Sequence, residues 1–177
     1  MASLRDTLPA TIHTERLLLR APRSSDLPDL VALANNWKVI APTAVMPFPY
    51  GIAEGQLFLS SLDDPAKPRA YAIANGEDRL MGVVSLKFAQ GKSPELGYWL
   101  GEPFWGQGFA PEAAIGLLDA VRTTGLAPVV KARVLANNPA SVRVLEKSGF
   151  TVVEHTHSVV ERHRGKPLLV LSWSATP

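Results

Sequence analysis

The chain has 177 residues, 46% of them apolar and 19% charged, with a formal net charge of +2 and no cysteine. This is the balance of a globular chain long enough for one domain with a real core, not of a disordered one. The missing cysteines exclude disulfides, thiolate metal sites and an acyl-cysteine intermediate.

No apolar run approaches the roughly 20 residues of a membrane-spanning helix. The first twenty residues lack the charged-then-apolar layout of a signal peptide, so a cytoplasmic protein is expected. Lys and Arg are scattered, which argues against direct nucleic-acid binding. The exception is Arg162-His163-Arg164-Gly165-Lys166. That cluster reads as a solvated hairpin tip, with a contact for an acidic partner as the alternative. There is no internal repeat or low-complexity linker, so residues 1–177 are expected to form a single domain.

Residues 12–20 read as a first strand, stopped by Ala21-Pro22. Ser24 or Ser25 can cap a following helix, on which Leu27, Leu30, Val31 and Ala34 recur at helical spacing. Pro28 fits only in its first turn. Residues 39–52 hold Pro42, Pro47, Pro49, Phe48 and Tyr50. They make a stiff aromatic loop that is either a plain connection or a wall over a substrate site. A short helix over residues 53–62 follows. Residues 70–74 and 80–88 read as a hairpin turning at Asn75-Gly76-Glu77-Asp78, and residues 95–100 as another strand. Ala110, Ala113, Ala114, Leu117, Leu118 and Val121 mark a buried helix. After a strand over residues 129–135 comes a helix with Asn138 as cap, Pro139 at its first position and Gly149 just past its end. Strands over about 151–160 and 168–173 then pair around Arg164-Gly165. The order predicts an α/β (α+β) fold, a mixed sheet with helices on its faces.

The most informative stretch is residues 95–113, where a strand runs into a glycine-rich turn that opens a helix. Unpaired N–H groups and the helix dipole make such a turn an anion site, and a pyrophosphate fits it. Gly106 and Gly108 let the backbone approach phosphates without a Cβ in the way. Two other phosphate motifs fail. A dinucleotide fingerprint needs a glycine at 111, where Pro111 stands. A P-loop ending at Gly91-Lys92-Ser93 needs a glycine at 86, where Leu86 stands.

Trp105-Gly106-Gln107-Gly108-Phe109-Ala110 resembles the pyrophosphate loop of the GNAT acetyltransferases, Gln/Arg-x-x-Gly-x-Gly/Ala. Residues 138–150, from Asn138-Pro139-Ala140-Ser141 to Gly149-Phe150, resemble that family's second cofactor segment. Thr14-Glu15-Arg16-Leu17-Leu18-Leu19-Arg20 with Asp26 is similar to the opening of its Rim-type branch (RimJ/RimL), which includes ribosomal-protein N-terminal acetyltransferases. Trp105 departs from the Gln or Arg of the broad family. Pro111 also departs, at little cost, because first-turn N–H groups have no helical partner.

The resemblance implies a GNAT-like, mostly antiparallel sheet, acetyl-CoA as cosubstrate and an amine acceptor, either a small molecule or a protein N-terminus. It implies that the backbone around Tyr98, Trp99 and Leu100 holds the pantetheine arm like an added strand. The loop from Trp105 to Ala110 would hold the pyrophosphate on the amides of residues 106–110. Asn138 would lie near the pantetheine and Ser141 near the thioester sulfur. A homodimer through the sheet edge or the C-terminal strands is in keeping with the family.

Acyl transfer to an amine needs a deprotonated nucleophile, a polarised carbonyl and a stabilised leaving thiolate. With no cysteine and no Gly-x-Ser-x-Gly elbow, direct transfer is expected. Glu95 is the first candidate for the base, with a solvated strand-end carboxylate as the alternative; Glu102, Glu112 and Glu161 come after it. Many members of the family place a tyrosine near the sulfur on the second-segment helix. Here the tyrosines are Tyr50, Tyr71 and Tyr98, and none follows residue 98. The hydroxyl that this helix does carry early is Ser141, the candidate donor to the thiolate. His155, His157 and His163 have no spacing that promises a third metal ligand, so no metal is expected. The alternative from another class is an inactive acyl-CoA-binding sensor or interaction module.

Overall fold

The computed structural model describes residues 3–176. A turn of helix α1 (Leu4–Thr7) leads into β1 (Thr11–His13) and β2 (Leu18–Arg20). The single first strand expected over residues 12–20 is therefore two short antiparallel strands. The reversal is made by Thr14, whose N–H reaches the Leu17 carbonyl at 3.0 Å and whose Oγ1 accepts the Leu17 N–H at 3.0 Å. A threonine hydroxyl offers the backbone this turn, and the run of leucines after it hid the turn in the sequence.

Helix α2 (Leu27–Ala34) begins with Pro28 in its first turn, as expected. The expected serine cap is absent. Ser24–Asp26 form a turn of 3₁₀ helix, and the Asp26 carboxylate accepts the Arg23 N–H at 2.8 Å. Asp26 also takes both ends of the buried Arg20 guanidinium at 2.8 Å, and Asp78 takes its Nε at 2.6 Å. The Arg20 and Asp26 of the opening motif thus bind β2 to α2 and, through Asp78, to the turn over residues 75–79. Next come α3 (Trp37–Ile40) and α4 (Ile52–Ser60), then the hairpin of β3 (Arg69–Ala74) and β4 (Leu80–Lys87). The remaining elements are β5 (Glu95–Leu100), α5 (Phe109–Thr124), β6 (Val129–Leu135), α6 (Pro139–Lys147), β7 (Thr151–His157) and β8 (Pro167–Ser174).

The eight strands form one sheet in the order β1-β2-β3-β4-β5-β6-β8-β7. Every neighbouring pair is antiparallel except β5 with β6, so the sheet is mixed and mostly antiparallel, as expected. Strand alternation sends side chains to two cores. On one face Tyr71, Ile73, Leu86, Leu96 and Leu100 pack with Ala113, Ala114, Leu117 and Leu118 of α5 and Leu145 of α6. On the other, Leu30 of α2 packs with Ala72, Leu80 and Val83, and Trp99 joins them from β5. No helix among the described residues is long and apolar enough to cross a membrane.

Candidate active site

The one parallel pair is also the most incomplete. β5 and β6 are in register only at Glu95–Lys131 and Leu96–Ala132, with Lys131 N–H reaching the Pro94 carbonyl at 2.9 Å. Beyond that point β6 stays paired with β8 along its whole length, and β5 with β4. The two strands therefore open into a wedge toward their C-terminal ends. The Gly101 N–H turns away from the wedge, to the Met81 carbonyl on the β4 side. By alternation, Leu96, Tyr98 and Leu100 turn their backbone groups into the wedge. One is already occupied, since the Trp105 indole N–H donates to the Leu100 carbonyl at 2.7 Å. Both Tyr98 groups and the Leu100 N–H are left for an added strand. Trp105 itself serves as a peg that folds the loop back onto β5.

Each strand of the wedge runs into a helix, so two helix N-termini flank its mouth. Such crevices at the carboxyl ends of parallel strands suit ligands. At α5 the turn is made by Gly106 at φ +72° and Gly108 at φ +81°, a left-handed backbone that side chains disfavour. A Cβ on Gly108 would stand 3.3 Å from Nη2 of Arg16. The Gln107 side chain closes back on the loop at the surface, its Nε2 donating to the Pro103 carbonyl at 3.0 Å. Phe109 is half-buried, Ala110 is buried, and Pro111 lies in the first turn.

At α6, Asn138 caps the helix by accepting the Ser141 N–H on Oδ1 at 3.2 Å. An N–H can only donate, so this bond fixes the orientation of the amide. Nδ2 then donates to Ser141 Oγ at 3.0 Å. A second donor meets the same oxygen: the Tyr98 hydroxyl, from β5, at 3.1 Å. A serine hydroxyl has two lone pairs and one proton. With both acceptor positions filled, Ser141 is left as a donor. Burial pushes the Tyr98 hydroxyl above the ordinary tyrosine range against the opposing bond to Ser141, so it keeps the proton that this bond uses. Sequence reasoning assigned Tyr98 only its backbone. Period-two alternation does put Tyr98 on the same face as Leu96 and Leu100, but no local signal brings β5 to α6.

Glu95 sits at the closed end of the wedge, on the opposite face of β5 from Tyr98 and Ser141. Its Oε2 accepts from Arg133 Nε at 3.1 Å, and Oε1 has no hydrogen-bond partner among the described residues. On this face the connection between α3 and α4 folds down, with Met46 and Trp99 packed on Ala34, Ile40 and Tyr50. Trp37 and Phe48 meet edge to face at 5.2 Å, both about half exposed. The strap is held from across the molecule. Arg162 donates to the carbonyls of Ile40, Thr43 and Met46 at 3.2, 3.0 and 2.6 Å, and His163 Nε2 lies 2.6 Å from the Ala41 carbonyl. This corrects the solvated-tip reading of the basic cluster. Nine residues separate β7 from β8, and a 3₁₀ turn at Glu161–His163 faces Arg162 and His163 inward, while Arg164 and Lys166 stay exposed.

The other candidate carboxylates are engaged elsewhere. Glu102 takes Lys38 Nζ and Asn36 Nδ2, each at 2.6 Å, and these bonds hold its carboxyl below the ordinary range. Glu112 faces the β1–β2 turn, and Glu161 opens the 3₁₀ turn at the surface. His155 and His157 are exposed on β7, and no cluster of three or more His, Cys, Asp or Glu side chains suited to a metal ion occurs among the described residues.

Comparison with known proteins bears on this geometry. Residues 16–151 match the model of the acetyltransferase (GNAT) domain. An uncharacterized N-acetyltransferase, p20, of Bacillus licheniformis is 26% identical over 79% of this chain and 82% of its own. The ribosomal-protein-serine acetyltransferase of Escherichia coli is 37% identical, but over only 42% of each chain. Among solved structures, the microcin C7 self-immunity acetyltransferase MccE, in complex with acetyl-CoA and AMP, superposes with a TM-score of 0.80 over 95% of this chain and 98% of its own, at 19% identity.

Proposed function

Since the chain belongs to the GNAT acetyltransferases, we propose that it moves an acetyl group from acetyl-CoA directly to a primary amine, with both substrates bound at once. The observation that carries this reading is the β5–β6 wedge with a helix N-terminus at each side of its mouth. The pantetheine arm lies in the wedge against the Tyr98 backbone and the Leu100 N–H, beside Trp99. The pyrophosphate sits on the amides of residues 106–110, in the loop from Trp105 to Ala110. Asn138 and Ser141 then face the thioester end.

The amine arrives on the strap side, where Glu95 takes its proton on the open Oε1, directly or through water. The nitrogen adds to the thioester carbonyl, the C–S bond breaks, and the electron pair leaves on sulfur. Ser141, held as a donor by Asn138 and Tyr98, gives its hydrogen bond to that thiolate. The α6 N-terminus adds favourable potential for the developing charge. Base and donor thus work from opposite faces of β5, on the two sides of the transferring carbonyl. An inactive acyl-CoA sensor needs neither the free oxygen of Glu95 nor the free proton of Ser141.

The acceptor is a protein N-terminus or a small-molecule amine. The Rim-type opening and the partial likeness to a ribosomal-protein acetyltransferase support the former. We read the chain as a single catalytic domain working in the cytoplasm. The deciding experiment is a screen of peptide N-termini, polyamines, amino acids and aminoglycosides, followed by release of the CoA thiol. Turnover with one class identifies the acceptor. CoA binding by calorimetry with no thiol release from any amine would establish the sensor instead.

A further inference from the structure

We propose that Arg16, on the turn between β1 and β2, is a positioning residue that aims the Gly108 N–H into the pyrophosphate site and keeps negative charge away from it; this rests on the acetyl-CoA reading above. Arg16 crosses 91 residues of sequence to donate from Nη1 to the Gln107 carbonyl at 3.0 Å. That carbonyl and the Gly108 N–H belong to one planar trans peptide, in which C=O and N–H point in opposite directions. Pulling the carbonyl toward Arg16 therefore turns the N–H away from it, toward the mouth of the wedge. The guanidinium is also packed on the Phe109 ring, 4.4 Å from its centroid, so it holds the residues on both sides of Gly108.

The second part concerns Glu112. This carboxylate lies in the first turn of α5, where it would repel a phosphate if it faced the helix axis. It is instead held against the β1–β2 turn. Thr14 Oγ1 donates to Oε1 at 2.6 Å, the Arg16 N–H to the same oxygen at 2.7 Å, and Arg16 Nε to Oε2 at 2.7 Å. Burial raises the Glu112 carboxyl, but the bonds from Thr14 and from the Arg16 backbone and side chain outweigh it, and the group stays ionised below its ordinary range. One arginine thus fixes a peptide dipole and neutralises the carboxylate in the first turn of α5. A lysine has one compact head and cannot serve Glu112, Gln107 and Phe109 together.

The test compares a donor that has the pyrophosphate with one that lacks it. Arg16→Ala and Arg16→Lys are checked for an intact fold by circular-dichroism melts, and CoA affinity is measured by calorimetry. Arg16→Ala is expected to weaken CoA about tenfold, and Arg16→Lys by a smaller factor. With the best amine from the screen, acetyl-CoA and S-acetylpantetheine are then compared. The kcat/KM preference for acetyl-CoA is expected to fall about tenfold in Arg16→Ala, with the S-acetylpantetheine rate changed by less than about twofold. Equal losses with both donors would make Arg16 a structural brace only and overturn the inference. So would an unchanged CoA affinity in the folded variant. A parent protein that binds no CoA would overturn the reading of the whole site, a result distinct from either.

Discussion

The two sides of the wedge are built differently. The side proposed for the cofactor comes from two contiguous segments, residues 95–113 and 138–150, in which strand, turn and helix N-terminus follow one another in sequence. The strap side is assembled from the α3–α4 connection and the β7–β8 connection, about 120 residues apart, joined by Arg162. A site for an invariant chemical group such as a pyrophosphate can be made from backbone amides, and a local motif is enough to aim them. A site for one particular acceptor depends on side chains brought from distant loops.

Substitutions can test whether the two sides are as separable as this contrast implies. The largest expected effect is at the junction. Glu95→Gln keeps the shape and removes the basicity, so kcat/KM is expected to fall by roughly 10²–10⁴-fold with CoA affinity little changed. Parent-like activity from pH 6 to 9 would return Glu95 to a plain ion pair with Arg133. Ser141→Ala is expected to lower kcat by roughly ten- to a hundredfold, about 1.4–2.7 kcal/mol in barrier, with the acetyl-CoA Kd much less affected. Weaker binding at unchanged kcat would make Ser141 a cofactor contact alone.

Gly108→Val forces a β-branched residue into a left-handed backbone beside Arg16. CoA affinity is expected to drop tenfold or more, on the order of 1.4 kcal/mol, and calorimetry on the folded variant reads it directly. Arg162→Ala is the matching change on the other side. It frees the carbonyls of Ile40, Thr43 and Met46, and the KM for the amine is expected to rise roughly fivefold, about 1 kcal/mol, at constant CoA Kd. A shift in CoA affinity here would show the two sides to be coupled.

The smallest effect is in pH. Burial raises Tyr98 on the cofactor side, opposed by its bond to Ser141, and burial raises Tyr50 under the strap, helped by the charge of Glu54. A folded-state pKa above the unfolded value stabilises the protein fully below about pH 10 and loses that contribution as pH climbs through the folded value. Urea midpoints are therefore expected to fall on the alkaline limb. Tyr98→Phe and Tyr50→Phe are each expected to flatten that fall, and a limb unchanged by either would show that neither tyrosine drives it.

Much of this was legible without coordinates because it depends on local rules. The apolar spacing of Ala110 to Val121 gave α5, Pro139 and Gly149 bounded α6, and glycines at 106 and 108 marked the turn whose left-handed backbone the structure contains. Each is a preference of a few adjacent residues, and each survives in any fold that accepts the segment. Four features were not legible in that way, two set by short-range side-chain bonds and two by distant contacts. Thr14 turned a run of leucines into two strands by bonding Leu17, and Asp26 rather than a serine took the backbone N–H ahead of α2, at Arg23, while also pairing with Arg20. The hydroxyl of Tyr98 reached Ser141 only because β5 lies under the N-terminus of α6, and Arg162 and His163 turned inward only because the strap carbonyls needed donors. Sequence determines which groups are available and how the backbone bends beneath them. Tertiary packing decides which of those groups meet, because a buried hydroxyl or carbonyl takes whichever partner the neighbouring element brings within reach.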